Sequence, residues 1–274
     1  MIGQKHLSEV LYKMVQDDKL PRLIILVGVR GSGKGKMCEY IGDILGVDVL
    51  EHDNKAEVVR EVVEQAYKTS VKVLHVFRDI DDMSNASKNA LLKVIEEPPN
   101  GAYFVMTSKD ISNQALSTIR SRGTVFYMDA YTQEELMQYA KESKYTVTED
   151  VLKRVVNVCE TPYEVDMLVK SGVDDFFNFV NLVIDNIATV SGSNSFKIGD
   201  KIAFKAEDKD KKLDLALFLK IFMKKCSDLI SEEPLKYAEG VKITSKYLQE
   251  LSVSGVQKQP VFDSWLLDIR KAWM

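Results

Sequence analysis

The sequence predicts an α/β fold built on a parallel sheet, followed by a helical region. Three observations carry this. First, branched apolar residues from Leu23 to Val27 run into Gly28-Val29-Arg30-Gly31-Ser32-Gly33-Lys34, which fits the phosphate-loop pattern G-x-x-x-x-G-K between a strand and a helix. Second, short apolar runs alternate with helical patterns as far as Met128. Third, beyond Met128 only helical spacing remains.

Each element follows from local pattern. Leu7, Val10, Leu11, Met14 and Val15 recur at helical spacing, so Lys5 to Asp17 is an amphipathic helix. After the first strand and its loop, a helix runs to about Leu45, and Val47 to Leu50 is a short strand. Val58, Val59, Val62, Val63 and Ala66 mark another helix. Val71 to Phe77 is a strand, and Ser84 to Glu97 is a helix stopped by Pro98 and Pro99. Tyr103 to Thr107 is a strand, Ser117 to Ser121 a short helix and Thr124 to Met128 the last strand. Thr132 with Glu135 forms a capping box that opens a helix to about Ser143, and Thr148 caps one reaching Cys159. Thr161, Pro162 and Glu164 combine a cap, a proline at the first helical position and a second box, and that helix ends at Gly172. From Asp174 onward the chain is helical again, with Phe176, Phe177, Val180, Val183, Ile184 and Ile187 on one face and a loop at 191–195. The expected division is a sheet domain over 1–128, a small three-helix domain over 129–173 and an all-α domain over 174–274.

The loop has a clear chemistry. Glycines let the backbone curl so that successive N–H groups face phosphate oxygens, and the helix that follows presents its positive end. Gly28, Gly31, Ser32, Gly33 and Lys34 are the candidate phosphate-binding residues. The alternatives are a glycine-rich turn with no ligand and a solvated Lys34 at a helix start. The pattern next asks for Ser or Thr to hold Mg²⁺, and this chain has Gly35.

Composition excludes several classes. The chain has 274 residues, is 45% hydrophobic and 28% charged, and so has room for two or three globular domains. A net charge of -4 argues against a protein that coats nucleic acid, while a local basic face stays compatible. Cys38, Cys159 and Cys226 show neither a disulfide framework nor zinc spacing, so no metal is assigned and a reducing compartment is expected. The opening MIGQKHLSEVLYKM does not read as a signal peptide, and no run approaches the about 20 apolar residues of a membrane span; a cytoplasmic protein is expected. His6, His52 and His75 show no ligand spacing, and His75 reads as a packed or hydrogen-bonded core residue.

Val71 to Pro99 reads VKVLHVFRDIDDMSNASKNALLKVIEEPP, and Phe104 to Ser108 (FVMTS) and Ser117 to Gly123 (STIRSRG) follow it. In this order, and behind Ile2-Gly3-Gln4-Lys5-His6, these segments resemble the clamp-loader ATPases of the AAA+ class. The resemblance covers about residues 1–128, thins over 129–173 and fades beyond. It implies a P-loop NTPase sheet domain, a helical lid and a helical collar.

The departures from that family are specific. Its working Walker B strand ends in Asp-Glu, where Arg78 and Asp79 stand here. The sensor-2 arginine would align near Tyr163, and the four-cysteine zinc module is missing where Asp48 to Lys55 runs. Phosphoryl transfer needs metal, a positioned water and charge stabilisation, so the resemblance implies negligible hydrolysis by this chain's own site. Thr107 or Ser108 falls at the sensor-1 position, or is simply a polar strand end. Ser121-Arg122 resembles the family's arginine finger, with Gly123 in place of the usual cysteine, and Arg122 would serve a neighbouring subunit's ATP. Lost cis parts with a kept trans arginine are similar to the delta-prime type of subunit, a stator that completes the ring.

What this implies is a hetero-oligomer with ATP-hydrolysing and clamp-opening subunits, acting through the complex on a sliding clamp and primed DNA, with no membrane partner. No cofactor is certain: ATP or ADP sits in a degenerate loop without Mg²⁺-dependent hydrolysis, or the loop stands empty. Two rivals remain: an active ATPase of the same class using Asp79 or Asp81 as metal ligand, and a P-loop phosphotransferase for a small molecule. Arg78 is expected to pair with Asp79, Asp81 or Asp82. The lysines from Lys197 to Lys225, interleaved with acids, read as a solvated helix face.

Overall fold

The computed structural model describes residues 2–69, 71–110, 117–188, 202–203, 213–253 and 255–274. The expected loop at 191–195 and the lysines at 197–212 lie outside the described residues. The chain divides into two compact units, Met1–Glu135 and Leu136–Met274.

The first unit is a five-stranded parallel sheet of β1 (Leu23–Val27), β2 (Asp48–His52), β3 (Val73–Phe77), β4 (Ala102–Ser108) and β5 (Thr124–Tyr127). Its order is β2-β3-β4-β1-β5, so β1 lies between β4 and β5, with Ile25 opposite both Met106 and Val125. Strand alternation sends the two sets of β1 side chains to opposite faces. Ile24 and Leu26 pack with Leu7 and Leu11 of α1 (Lys5–Gln16) and with Met37 and Ile41 of α2 (Lys34–Leu45). Leu23, Ile25 and Val27 pack with Val59 and Val63 of α3 (Ala56–Lys68) and with Leu91 and Val94 of α4 (Asn85–Glu96). Burial on both faces is why β1, β3 and β4 read as apolar runs, whereas the edge strands β2 and β5 are largely exposed. Ser84 caps α4 by accepting from the Ser87 N–H at 3.1 Å. A short α5 (Ser117–Arg120) precedes β5.

The first unit ends at the head of α6 (Gln133–Glu142), where the Thr132–Glu135 box closes as expected, with Oγ1 and carboxylate bonds of 3.2 and 2.9 Å. The second unit is mainly helical. Thr148 caps α7 (Glu149–Val156) and Thr161 caps α8 (Pro162–Ser171), which stops at Gly172. α9 (Val173–Asn186) buries Phe176, Phe177, Val180, Val183 and Ile184. α10 (Leu215–Leu229), α11 (Pro234–Ser252) and α12 (Lys258–Trp273) enclose an aromatic core. There Trp265 meets Phe218 and Phe222 edge-on at 5.5 and 4.9 Å and donates from Nε1 to Thr244 Oγ1 at 3.0 Å.

Two expectations need correction in this unit. The C-terminal region is not all helix: β6 (Ile202–Ala203) and β7 (Leu213–Asp214) pair in parallel, two residues each. Lys220 is not a solvated lysine but bonds to Glu160 and Glu164, at 2.8 Å in the second case. Among the described residues no helix is long and apolar enough to cross a membrane, and no group of three or more His, Cys, Asp or Glu could hold a metal.

Candidate functional site

The loop Gly28–Lys34 leaves the carboxyl end of the interior strand β1, where parallel α/β sheets place ligands. Gly31 and Gly33 have φ of 84° and 90°, the left-handed region that favours glycine. The loop is braced from three sides. Gly28 N–H donates to Ser108 O at 3.1 Å, Gln4 Nε2 donates to Ser32 O at 3.4 Å, and the Tyr131 hydroxyl donates to Ser32 O at 3.4 Å. Gln4 also clamps Asp129, donating to its O and accepting from its N–H at 2.7 Å each.

Lys34 turns back on the loop. Its Nζ donates to Gly28 O at 2.6 Å and Val29 O at 3.0 Å. Burial pushes its pKa below the usual lysine value, against the pull of Asp79 and Asp81. Ser32 Oγ is buried without a hydrogen-bond partner.

The two departures seen in sequence, Gly35 and Arg78, meet in space. A Cβ at Gly35 would lie 2.8 Å from Arg78 Nη1. The guanidinium fills the room that a Ser or Thr side chain would use. Contrary to the expectation from sequence, Arg78 pairs with neither Asp79, Asp81 nor Asp82. It forms an ion pair with Glu51 on β2, Nε to Oε1 at 2.8 Å, because the register sets Glu51 beside Val76 and Phe77 follows it. Mg²⁺ in its family position does not fit these residues: a hydroxyl ligand is missing and a fixed positive charge stands there.

Thr107 and Ser108 are buried at the end of β4 and tie down the segment after β3. Thr107 Oγ1 accepts from Asp79 N–H at 2.9 Å, and Ser108 Oγ donates to Asp81 at 2.7 Å. Asp81 also accepts from the N–H groups of Lys109 and Asp110 at 2.8 and 3.3 Å. Asp79 has φ 49°. Asp81, with three donors on its carboxylate, is a structural anchor.

Arg122 lies after α5. Its Nη2 pairs with Glu96 of α4 at 3.2 Å, and Nη1 donates to Thr118 O at 3.3 Å. The pair is partly exposed, with side chains 40% and 54% accessible, so a stronger anion would displace Glu96 at little cost.

His75 is the buried, hydrogen-bonded residue expected, and its partner is His52. They form a pair, Nε2 to Nδ1 at 2.9 Å, because β2 and β3 are neighbours. Spacing along the chain carried no signal for this contact.

Residues 43–132 match the family described as "DNA polymerase III, delta subunit". The chain is 26% identical over 172 residues to the DNA polymerase III subunit gamma of Buchnera aphidicola subsp. Acyrthosiphon pisum, covering 52% of this chain and 47% of that one. It is 34% identical over 84 residues to the DNA polymerase III subunit delta' of Escherichia coli, covering 31% of this chain and 23% of that one. The matched stretch thus spans less than half of either relative. A solved DNA polymerase III gamma subunit-related protein from Thermotoga maritima superposes with a TM-score of 0.51 at 14% identity, covering 97% of this chain and 99% of that one. That likeness bears on fold alone.

Proposed function

We propose that this chain, a member of the clamp-loader family by the matches to the DNA polymerase III gamma and delta' subunits, is a non-hydrolysing subunit of a replicative clamp loader of the delta-prime type. In this proposal it assembles with ATP-hydrolysing and clamp-opening subunits, helps to set a sliding clamp on primed DNA, and lends Arg122 to a neighbour's ATP. Residues 129–173 act as a lid and 174–274 as a collar that joins subunits.

One observation carries the proposal. The Arg78 guanidinium stands 2.8 Å from where a Cβ at position 35 would be, so a cation lies where the metal-holding side chain would begin. A site built this way binds and orients but does not activate water. The rival ATPase, with Asp81 as a makeshift ligand, would require that carboxylate to give up its bonds to Ser108, Lys109 and Asp110.

Arg122 is the remaining catalytic candidate. In trans its guanidinium would stabilise charge on the transferring phosphoryl group, exchanging the Glu96 carboxylate for phosphate oxygens. The test is ATP turnover by the reconstituted loader. Arg122→Ala is expected to slow the adjacent site by about 10³–10⁵, while the isolated wild-type chain hydrolyses no ATP. Unchanged turnover in the variant complex, or robust Mg²⁺-dependent turnover by the isolated chain, refutes the proposal.

A further inference from the structure

Two positive features meet at the first turn of α2, the Arg78 guanidinium and the backbone N–H groups at the helix start, while the Lys34 ammonium lies against the loop carbonyls of Gly28 and Val29. A cation beside the positive end of a helix is unfavourable unless an anion joins it. Acids stand near each cation: Asp79 and Asp81 act on Lys34, and Glu51 pairs with Arg78. The nearest approach of Glu51 to Arg78 is at Nε, 2.8 Å, and Asp81 is held by Ser108 and two backbone N–H groups. Among the described residues no side chain accepts from Arg78 Nη1 or Nη2, although Nη1 lies 2.8 Å from where a Gly35 Cβ would sit. A planar fork with two open donors matches two oxygens of a phosphate. Independently, Ser32 Oγ inside the loop is buried and unpartnered, at a residue only 4% exposed. A buried hydroxyl of this kind calls for a partner that the protein itself does not supply.

We propose that Arg78 is a resident cation that replaces the divalent metal, so that the loop binds the polyphosphate of a nucleoside di- or triphosphate without Mg²⁺. Lys34 releases the Gly28 and Val29 carbonyls to meet the phosphate, and Arg78 covers the charge that a metal would otherwise neutralise. This deepens the clamp-loader proposal by assigning a ligand to the same degenerate loop, and it does not depend on Arg122.

Isothermal titration of the intact chain with ADP and with tripolyphosphate, each in Mg²⁺ and in EDTA, tests it. The affinity in EDTA is expected to stay within about twofold of that in Mg²⁺, and Arg78→Ala to weaken binding about tenfold or more, the equivalent of about 1.4 kcal/mol. Gly35→Thr, which drives a side chain into the guanidinium, weakens binding as well, whereas Gly35→Thr with Arg78→Asp makes binding require Mg²⁺. Tighter binding of ADP identifies a nucleoside polyphosphate, and equal binding of tripolyphosphate identifies the phosphate chain alone; both support the site. Binding by the wild-type chain that requires Mg²⁺, an affinity indifferent to Arg78→Ala, or no heat with either probe overturns it. None of these outcomes touches the Arg122 experiment, so the two proposals fail separately.

Discussion

Gly123 shows how a single position reports its surroundings. It stands where the related finger motif has cysteine, and a Cβ there would lie 2.7 Å from Ile25 Cδ1 and 3.1 Å from Leu23 Cδ2. The interior strand β1 therefore leaves no room for a side chain, and the substitution is structural. Gly123→Cys is expected to destabilise the fold by about 1–3 kcal/mol through overpacking. Ile25→Val, which removes Cδ1, should recover part of that loss in a denaturant titration. A Gly123→Cys chain as stable as wild type would contradict the packing. Arg78 teaches the complementary lesson. Its identity and its place after β3 were legible in the sequence, and so was the missing hydroxyl at Gly35. That the two touch was not, because contact between α2 and the end of β3 depends on how non-consecutive strands align. The same blindness hid Glu51 as the partner of Arg78: local acids looked nearer along the chain than the one across the sheet.

At the scale of elements, what was legible rested on short-range chemistry. The capping box at Thr132, the Thr161 cap and the stop at Gly172 formed, since each depends on residues within one helical turn, but the second box is half made, its Glu164 carboxylate taking the N–H of Glu160 instead of Thr161. Thr161 Oγ1 accepts from Glu164 N–H at 3.3 Å, while the Glu164 carboxylate accepts from Glu160 N–H at 2.7 Å and from Lys220 at 2.8 Å. Thr161→Ala should cost about 1 kcal/mol, seen as a lower midpoint in thermal unfolding. The β6–β7 pair was illegible because two-residue strands are too short to show alternation. The β2–β3 pair holds a subtler property. His75 lies between His52 and the Phe104 ring, 5.0 Å away, and burial, with the His52 charge adding to it, lowers its pKa to about 4. Burial lowers His52 as well. The unfolded chain binds these protons more tightly, so the His75 contribution is complete above about pH 6.5 and is lost as pH falls toward about 4, and His52 acts in the same direction. Stability should fall by up to about 1.4 kcal/mol per pH unit across that window through His75. The part of the window above about pH 5 lies clear of ordinary carboxylates. Denaturant midpoints measured against pH should show this slope in wild type and lose it in His75→Leu; an equal slope in both would refute the assignment.

At the scale of the whole molecule, the two units carry different parts of the proposed work, and this can be separated by experiment. The sheet unit holds the phosphate loop, Arg78 and Arg122, whereas the helical unit 136–274 is built around Trp265, Phe218, Phe222 and Phe262. Trp265 is fully buried, stacks edge-on with two rings and donates to a buried threonine that itself bonds Gly240 O at 2.7 Å. Trp265→Ala removes all of this and leaves a cavity, so the helical unit should lose about 3–5 kcal/mol. Calorimetry is then expected to show one transition moved to lower temperature and a second, from the sheet unit, in place. If residues 174–274 form the collar, the variant should fail to enter the reconstituted loader on size exclusion at a temperature where its helical unit is melted, yet still bind tripolyphosphate through Gly28–Lys34 and Arg78. Full assembly with a melted helical unit would place the subunit contacts elsewhere. Loss of tripolyphosphate binding together with assembly would mean that the sheet unit depends on the helical one, and that the division of labour between them is false.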